Sequence, residues 1–366
     1  MVEAPWLIHR RRMQTTSETA WQALPQPFLA REAHAAGLSS TSIAGAMRRK
    51  QIIPVAPSVY AVREGWVELT PSELHGRMSR AAAASVEGAV VSHQSAALIH
   101  GLPHPLGPLG SVSLTLRDSS QTAARDDWRR LLDGELPDVH VTHVDDVPVT
   151  TVDRTVIDSF RQLRPRDALA IADGALRARL TCPEELQAMR AFQTRWPGVR
   201  KADVGLAMVD FRRESWLESA SVATAHQLGF SVPMSQVWIH DLDGRPIGRV
   251  DFLWSAAGVI GEADGRGKYF GSYSKKDWDP EEAAVHMVAE RDRERELEAV
   301  GFAVARWGTS DLLDRGAGLA RVLKEARRRA DPRRIRCLWR QDPHDDLRPW
   351  RLAVTPMDGG DGPWAA

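Results

Sequence analysis

The stretch Arg249-Val-Asp-Phe-Leu-Trp-Ser-Ala-Ala-Gly-Val-Ile-Gly-Glu-Ala-Asp-Gly265 decides the predicted fold of the second half of the chain. Its alternating apolar and polar residues predict a β-hairpin that turns between Ala256 and Ala257. Residues equally distant from that turn face each other, so Asp251 lies opposite Glu262. Directly opposed like charges destabilise a pair of strands. An Asp that faces a Glu therefore predicts a bound cation, a shared proton or a basic partner at this end of the hairpin.

The same alternation predicts which side chains share a face. Side chains alternate across a strand, so Arg249 and Asp264 join the two acids, with Leu253 and Ile260 nearer the turn. Apolar residues on this face indicate a central strand that is covered on both sides. A surface hairpin, with an Arg249–Asp264 ion pair and hydrated acids, is the alternative. The opposite face is predicted to be core and carries Val250, Phe252, Trp254, Val259 and Ala263.

The segments around the hairpin predict a mixed sheet flanked by helices. A helix opens near Ser215 and ends at Gly229, and a strand at 237–240 leads into the hairpin. A charged helix, a buried strand and a last helix follow at 280–299, 302–307 and 312–329. The predicted order is therefore helix, three strands, helix, strand, helix, which is an α/β arrangement.

The paired carboxylates predict a metal site. Hard cations such as Mg²⁺ bind oxygen ligands, commonly one or two carboxylates together with water and substrate phosphate. Asp251 and Glu262 meet that need, and Glu218 on the preceding helix is a candidate third acid. Lys268 is placed to neutralise a phosphate or the transition state. Mg²⁺ or Mn²⁺ held here can generate hydroxide and stabilise charge on a phosphodiester.

These residues resemble the PD-(D/E)XK restriction-endonuclease-like superfamily, most closely its very-short-patch-repair-like branch. The resemblance implies a restriction-endonuclease-like α/β domain in which Glu218 is the first acid and Asp251, Glu262 and Asp264 are candidate metal ligands. The superfamily's core lysine corresponds to position 264, where this chain has Asp, and Lys268 is the candidate substitute. The resemblance covers about residues 214–315 and is carried by Ser215-Trp-Leu-Glu-Ser219, Asp251, Glu262-x-Asp264-Gly265, Arg266-Gly-Lys-Tyr269 and Glu290-Arg-x-Arg-Glu294.

The N-terminal segment predicts a winged helix-turn-helix over residues 18–75. One helix ends at Gly37, and residues 39–42 can cap a second helix that runs to Lys50. Two short strands follow around a Pro turn. In such a motif the second helix enters the major groove, where basic side chains at its end meet phosphates. The candidate DNA-binding residues are Ser40, Thr41, Arg48, Arg49 and Lys50.

Residues 28–160 resemble the AbiEi-type antitoxin of type IV toxin–antitoxin systems. The resemblance is carried by the winged-helix segment, by His93-x-Ser-Ala-Ala97 and by Val149-Thr-Thr-Val-x-Arg-Thr155. It implies DNA binding, transcriptional autoregulation and a possible toxin partner. His93 and His100 could share a helix face, but we interpret them as capping and packing residues because no further metal ligands lie at suitable spacing.

The length, net charge and cysteine content limit the class of protein. The chain has 366 residues, a formal net charge of zero and only two cysteines, without metal-binding spacing. These values predict several domains and a reduced cytoplasmic location, without a disulfide framework. No apolar run is long enough to span a membrane, so no membrane partner is expected. The predicted domains are the winged helix at 18–75, a middle α+β region at 76–205, the nuclease-like domain at 206–330 and a flexible tail at 331–366.

Two functions follow as hypotheses. The first is a protein that binds double-stranded DNA and carries a Mg²⁺- or Mn²⁺-dependent endonuclease-like C-terminal domain. The second is a non-enzymatic AbiEi-type antitoxin or transcriptional regulator with a degenerate nuclease fold. A metal-dependent hydrolase of small molecules is a weaker third hypothesis, because the chain has neither a Gly-rich phosphate loop nor a nucleophile elbow.

Overall fold

The chain has a mixed α/β architecture, described here from a computed structural model. It divides into two compact units, residues 1–158 and residues 159–366. The residues that the structure describes are 20–104, 109–117, 126–264 and 280–351, with side chains of the helix at 280–299 described from Val288 onward.

The first unit begins with two helices and a three-stranded sheet. Gly37 follows the first helix with φ of +81°, the left-handed conformation predicted for a residue just past a helix end. Ser39 caps the second helix, and its side chain accepts a hydrogen bond from the backbone N–H of Ser42 at 3.1 Å. The strand order in the sheet is β1-β3-β2, with antiparallel pairing. The elements are β1 (Phe28–Leu29), α1 (Ala30–Ala35), α2 (Ser40–Arg48), β2 (Ile52–Ala56) and β3 (Val59–Val62).

A five-stranded mixed sheet forms the rest of the first unit. Its strand order is β6-β5-β4-β8-β7, and its core includes Val91, Leu114 and Val149, all buried. Thr70 and Glu73 form a capping box at the start of the long helix beside it. The elements are α3 (Pro71–Ser85), β4 (Ala89–Val91), α4 (His93–Ile99), β5 (Val112–Leu116), β6 (Arg129–Asp133), β7 (Val141–Val144) and β8 (Val147–Thr150).

The second unit contains a six-stranded mixed sheet with helices on both faces. Its strand order is β12-β11-β10-β9-β13-β14, and only β11 and β12 pair in parallel. The predicted succession of helix, three strands, helix, strand and helix is confirmed over residues 216–329. The helices are α5 (Val152–Gln162, which spans the boundary between the units), α6 (Pro165–Arg177), α7 (Pro183–Phe192), α8 (Val199–Leu206), α9 (Trp216–Gln227), α10 (Pro280–Ala299) and α11 (Ala317–Arg329), and the strands are β9 (Met234–His240), β10 (Pro246–Trp254), β11 (Val259–Ala263), β12 (Ala303–Trp307), β13 (Leu338–Arg340) and β14 (Arg348–Pro349).

The predicted boundary at 205/206 lies inside the second unit. Helix α6 packs against α9, and a fully buried ion pair between Asp173 and Arg213 joins the segments on either side of the predicted boundary, with a separation of 2.7 Å. Ser219 on α9 also donates a hydrogen bond to Asp173 at 2.7 Å. Helices α6, α7 and α8 therefore belong with the sheet that follows them.

The prediction of a flexible tail is wrong for residues 331–351. Strand β13 pairs with β9, and β14 pairs with β13, so this segment extends the sheet. Ile335 and Cys337 are each only 1% exposed and fix the segment to the core. Residues 352–366 lie outside the described part of the chain.

No helix in the part of the chain that the structure describes combines the length and apolar character needed to cross a membrane.

Candidate active site

The hairpin has the predicted register. Phe252 pairs with Gly261, Leu253 with Ile260, and Trp254 with Val259, which places the turn between Ala256 and Ala257. Strand β10 lies between β9 and β11, and both Phe252 and Leu253 are buried. The hairpin is therefore a central part of the sheet, covered on both faces, and the alternative of a surface hairpin is wrong.

Asp251 and Glu262 lie together at the end of the hairpin away from the turn. Continuation of the observed register places them opposite each other, one residue beyond the Phe252–Gly261 pair. Asp251 Oδ2 accepts a hydrogen bond from the backbone N–H of Ala263 at 2.8 Å, which fixes its carboxylate against β11. Glu262 is only 8% exposed, whereas Asp251 is half-buried. The predicted pair of acids is thus held by backbone on two adjacent strands.

Glu218 joins these acids from the first turn of helix α9. Its Oε1 accepts from the Ser215 hydroxyl at 2.9 Å, and its Oε2 accepts from the backbone N–H of Glu214 at 2.9 Å. Ser215 in turn accepts from the backbone N–H of Glu218 at 3.2 Å, which is a reciprocal helix cap. Glu218 therefore stabilises the helix start and at the same time presents a buried carboxylate near Asp251.

Gln236 connects two of the acids and was not among the predicted residues. Its Nε2 donates to Glu218 Oε2 at 2.9 Å and to Asp251 Oδ1 at 3.3 Å. It lies in β9 with φ of +53°, a backbone conformation that is uncommon for a residue other than glycine. The backbone at this position turns the amide toward the carboxylates, so Gln236 orients Asp251 relative to Glu218.

Arg293 on helix α10 supplies positive charge to the pair. Its Nη2 approaches Glu262 Oε1 to 3.3 Å, and its Nη1 donates to the backbone carbonyl of Arg249 at 2.9 Å. Gly248 makes room for it, because a Cβ at that position would lie 2.8 Å from Arg293 Cδ. The guanidinium therefore crosses strand β10 to reach the carboxylate on β11.

A second arginine balances the acids of the covering helix. Arg306, the β12 partner of Glu262 in the sheet register, contacts Glu290 at 2.7 Å and Glu294 at 3.2 Å. Glu290 also lies 4.0 Å from Arg293. The charged helix that the sequence predicted therefore places alternating charges above the carboxylate pair.

Burial and mutual repulsion perturb the acids. Burial, and then the neighbouring Asp251 carboxylate, raise the pKa of Glu262 to about 7, although Arg293 and Arg306 oppose that rise. The same two causes raise the pKa of Glu218 above its ordinary value. Near neutral pH part of the Glu262 population therefore carries a proton, which an approaching cation can displace.

We expect the pKa of Glu262 to make the stability of the second unit depend on pH. The folded chain binds this proton more tightly than the unfolded chain, so the contribution is complete below the unfolded pKa of 4.5 and is lost as pH rises through about 7. Glu262→Gln should not show that loss. At alkaline pH its free energy of unfolding should therefore exceed that of the unaltered chain by up to about 3 kcal/mol more than it does at acidic pH. Thermal unfolding with a chelator present measures the difference. Glu298→Gln, which alters an exposed acid, is the control, and a pH-independent effect of Glu262→Gln would contradict the assignment.

The remaining predicted residues stand apart from this cluster. Asp264 directly follows β11, and its backbone N–H donates to the carbonyl of Trp307 at 2.8 Å, but among the described residues no hydrogen bond or ion pair joins its side chain to the other acids. Arg249 pairs with Glu214 at 2.8 Å rather than with Asp264, because its side chain points toward the start of α9. Lys268 lies outside the described residues.

A buried carboxylate oxygen of Glu262 is suited to bind a divalent cation. Arg293 approaches Glu262 Oε1 without hydrogen-bond alignment, so this buried oxygen has no hydrogen-bond partner among the described residues. Buried polar atoms usually have a partner, and an unpaired one calls for an explanation such as an ion or a water. Within the described ranges no three His, Cys, Asp or Glu side chains are already gathered as a metal centre. Two carboxylates suffice for Mg²⁺ when water and phosphate supply the remaining ligands.

The predicted DNA-binding residues lie on one exposed stretch of the first unit. Ser40, Thr41, Arg48, Arg49 and Lys50 are all exposed. The opposite side of α2 is anchored in a core that contains its buried residues Ile43 and Ala46.

The two histidines that the sequence singled out have local partners. His93 Nδ1 lies 2.9 Å from the hydroxyl of Ser92, and His100 Nε2 lies 2.7 Å from the carbonyl of Thr150. These contacts agree with the packing and capping roles inferred for both residues.

No known protein-family profile matches the chain, and no curated protein sequence matches it significantly.

Proposed function

We propose that this chain binds double-stranded DNA and hydrolyses phosphodiester bonds with Mg²⁺ or Mn²⁺ held in its second unit. The observation that carries the proposal is the pairing of Asp251 with Glu262, whose buried Oε1 has no hydrogen-bond partner among the described residues. Opposed carboxylates repel each other, and Arg293 offsets this repulsion only in part, since the pKa of Glu262 remains raised to about 7. A divalent cation would supply further positive charge and leave coordination positions for water and phosphate.

Each residue of the site has a distinct part in the proposed reaction. Asp251 and Glu262 would hold the cation, and Asp264 at the end of β11 is a further candidate oxygen ligand. A bound Mg²⁺ or Mn²⁺ supplies Lewis acidity and lowers the pKa of water. Glu218, whose pKa is raised by burial, accepts a proton from the attacking water. Lys268 is assigned to the phosphate, in place of the core lysine absent at position 264.

Gln236 and Arg293 are positioning residues in this scheme. Gln236 donates to both Glu218 and Asp251 and so fixes the angle between them. Arg293 limits the repulsion between Asp251 and Glu262 before a cation binds, because its guanidinium lies 3.3 Å from Glu262. Neither side chain needs to touch substrate for these roles.

The first unit supports the DNA-binding part of the proposal. Helices α1 and α2, followed by the β2–β3 hairpin and its pairing with β1, have the order of a winged helix-turn-helix. We propose that α2 enters the major groove, with Ser40 and Thr41 toward the bases. Arg48, Arg49 and Lys50 then meet the phosphates.

Cleavage of supercoiled plasmid and of duplex oligonucleotides tests the proposal. The unaltered chain should cleave with Mg²⁺ or Mn²⁺ and should not cleave with a chelator. Glu262→Gln should lower the rate by at least about tenfold, as expected for a lost metal ligand, whereas Glu298→Gln should leave it unchanged. Absence of cleavage by the unaltered chain with either metal would overturn the enzymatic part.

A non-enzymatic AbiEi-type antitoxin or regulator is the second candidate function. The observation in its favour is that Asp264 stands where the nuclease-like superfamily has lysine, while Arg293 already neutralises Glu262. A site whose charges are neutralised by its own residues can stabilise the fold without being catalytic. DNA binding without cleavage, unchanged by Asp251→Asn, would favour this function and leave a toxin as the partner to seek.

A further inference from the structure

A short segment of the second unit carries a concentrated positive charge. Residues 321–336 contain eight Arg or Lys and two acidic residues, a net charge of +6, whereas the whole chain has a formal net charge of zero. We call this segment the arginine platform. Its basic residues are Arg321, Lys324, Arg327, Arg328, Arg329, Arg333, Arg334 and Arg336.

The arginine platform is rigidly seated on the core. Leu323 and Ala326 of α11 are fully buried, and Ile335 is 1% exposed. The backbone N–H of Arg336 donates to the carbonyl of Val300 at 2.9 Å. Gly301 has φ of +108°, and a Cβ there would lie 2.9 Å from Ile335 Cα. A glycine is therefore required for the platform backbone to approach this closely.

Most of the platform's charge faces solvent. All of its basic residues except Arg327 are exposed. The acids of the segment make ion pairs only at the surface, Arg321 with Glu325 at 3.9 Å and Arg334 with Asp331 at 3.4 Å. Such exposed pairs contribute little and leave the local field positive.

Helix stability explains only part of this pattern. Basic residues in the last turn of a helix interact favourably with its dipole, which accounts for Arg327, Arg328 and Arg329. Arg333, Arg334 and Arg336 lie beyond the end of α11, where its dipole does not account for them. Arg336 donates to the carbonyls of Arg333 and Ile335, at 2.8 and 2.9 Å. The exposed charge of Arg333 and Arg334 on a fixed surface suits an external anion.

We propose that the arginine platform binds the phosphate backbone of duplex DNA, an inference that rests on the DNA binding proposed above. Guanidinium groups bind phosphate through paired hydrogen bonds and lose less hydration than ammonium groups do, and seven of the eight basic residues are Arg. A membrane surface is disfavoured, because basic segments that bind lipid carry an adjoining apolar face. No large hydrophobic residue of the described chain is exposed between 321 and 336.

The platform is separate from the carboxylate site. Arg329 donates to the carbonyl of Val304 at 2.9 Å, and Val304 pairs with Ile260 near the turn end of the hairpin. Glu262 lies toward the opposite end of β11, the strand that contains Ile260. DNA on the platform therefore adds affinity without sequence preference, independently of the proposed hydrolysis.

Salt-dependent DNA binding by the full chain tests the inference. The variant combines Arg328→Gln, Arg333→Gln and Arg334→Gln, and the probe is a fluorescent duplex oligonucleotide followed by anisotropy over a series of KCl concentrations. Each lost phosphate contact lowers the salt slope by about 0.9, so the slope should fall by about 2 to 3 and affinity at low salt by at least about tenfold. The matched control removes three exposed charges elsewhere in the same unit: Arg195→Gln, Arg200→Gln and Lys201→Gln.

Three outcomes decide the result. A loss of slope and affinity in the platform variant alone, with unchanged thermal unfolding, supports the inference. Equal losses in the platform and control variants, or none in either, overturn it. Binding of the unaltered chain to phosphatidylserine vesicles but not to duplex overturns it in favour of a lipid surface. Cleavage is read separately with Glu262→Gln, so failure of the platform and failure of the proposed hydrolysis are distinguishable.

Discussion

Asp251→Asn is expected to reduce metal-dependent phosphodiester cleavage by about 10³-fold, because a bound metal contributes several kcal/mol of transition-state stabilisation. The effect should exceed that of Glu262→Gln. Glu262 has a pKa of about 7, so part of its population is already protonated at neutral pH and binds a cation weakly. Asp251 lies between the other two acids and raises the pKa of both.

The same substitution has a second effect of opposite sign. Removal of the Asp251 charge removes a cause of the raised pKa of Glu262, so that pKa should fall below about 7 while metal binding is lost. A misfolded site would also lose metal binding and, by exposing Glu262, lower its pKa, so thermal unfolding must show that the variant is folded. Asparagine keeps an oxygen that can accept the hydrogen bond from the Ala263 N–H, so the hairpin should be retained.

Two measurements check this expectation in the full-length chain. Calorimetric titration with Mn²⁺ should show binding by the unaltered chain and none by Asp251→Asn, and an NMR titration of the Glu262 carboxyl carbon should show the lower pKa. Glu298→Gln serves as the control for both. Mn²⁺ binding that is retained by Asp251→Asn would contradict the proposed metal site, irrespective of the result for DNA binding.

The hairpin register could be predicted because it depends on local sequence alone. Alternation over 249–264 fixed which residues face each other, and the observed pairs match it. The same reasoning would have found Gln236. A turn centred between Asp243 and Gly244 places Asp251 opposite Gln236, and the observed pairs on either side, Val250 with Val237 and Phe252 with Ser235, follow that register.

Other parts of the site depend on tertiary arrangement and leave no such local pattern. The contact of Arg293 with Glu262 requires the helix α10 to lie over β10, and periodicity alone does not specify which of its charged residues faces the sheet. The charge and proline content of segment 331–351 predicted a flexible tail, and this prediction is wrong. Its apolar residues outweigh that composition, because Ile335 and Cys337 are buried in the core and Trp339 and Trp350 pack against it.

Arg213→Met is expected to destabilise the second unit by about 3 to 5 kcal/mol. Arg213 is buried, and its guanidinium pairs with Asp173 at 2.7 Å and donates to Ser235 Oγ at 3.2 Å and to the carbonyl of Met208 at 2.8 Å. Burial already raises the pKa of Asp173 despite this partner. Loss of the arginine would leave a buried carboxyl without its counter-charge.

The buried pair also supports the candidate active site. Asp173 accepts a hydrogen bond from Ser219, the residue after Glu218, so the network holds the first turn of α9 in place. Arg213→Met should therefore weaken Mn²⁺ binding as well as stability. Asp173→Asn should cost a similar amount, since it leaves the guanidinium buried without its carboxylate.

Comparison with an exposed pair separates burial from simple loss of an ion pair. Arg190 and Asp203 lie 2.6 Å apart with partly exposed side chains in the same unit, so Arg190→Met should cost no more than about 1 kcal/mol. The double variant Asp173→Asn with Arg213→Met should cost less than the two single variants combined, because neither charge is then buried alone. Thermal unfolding of all four variants gives these differences. Equal costs for Arg213→Met and Arg190→Met would mean that the buried network does not hold α6 against α9. The position of Glu218 would then have to be fixed by its helix cap and by Gln236.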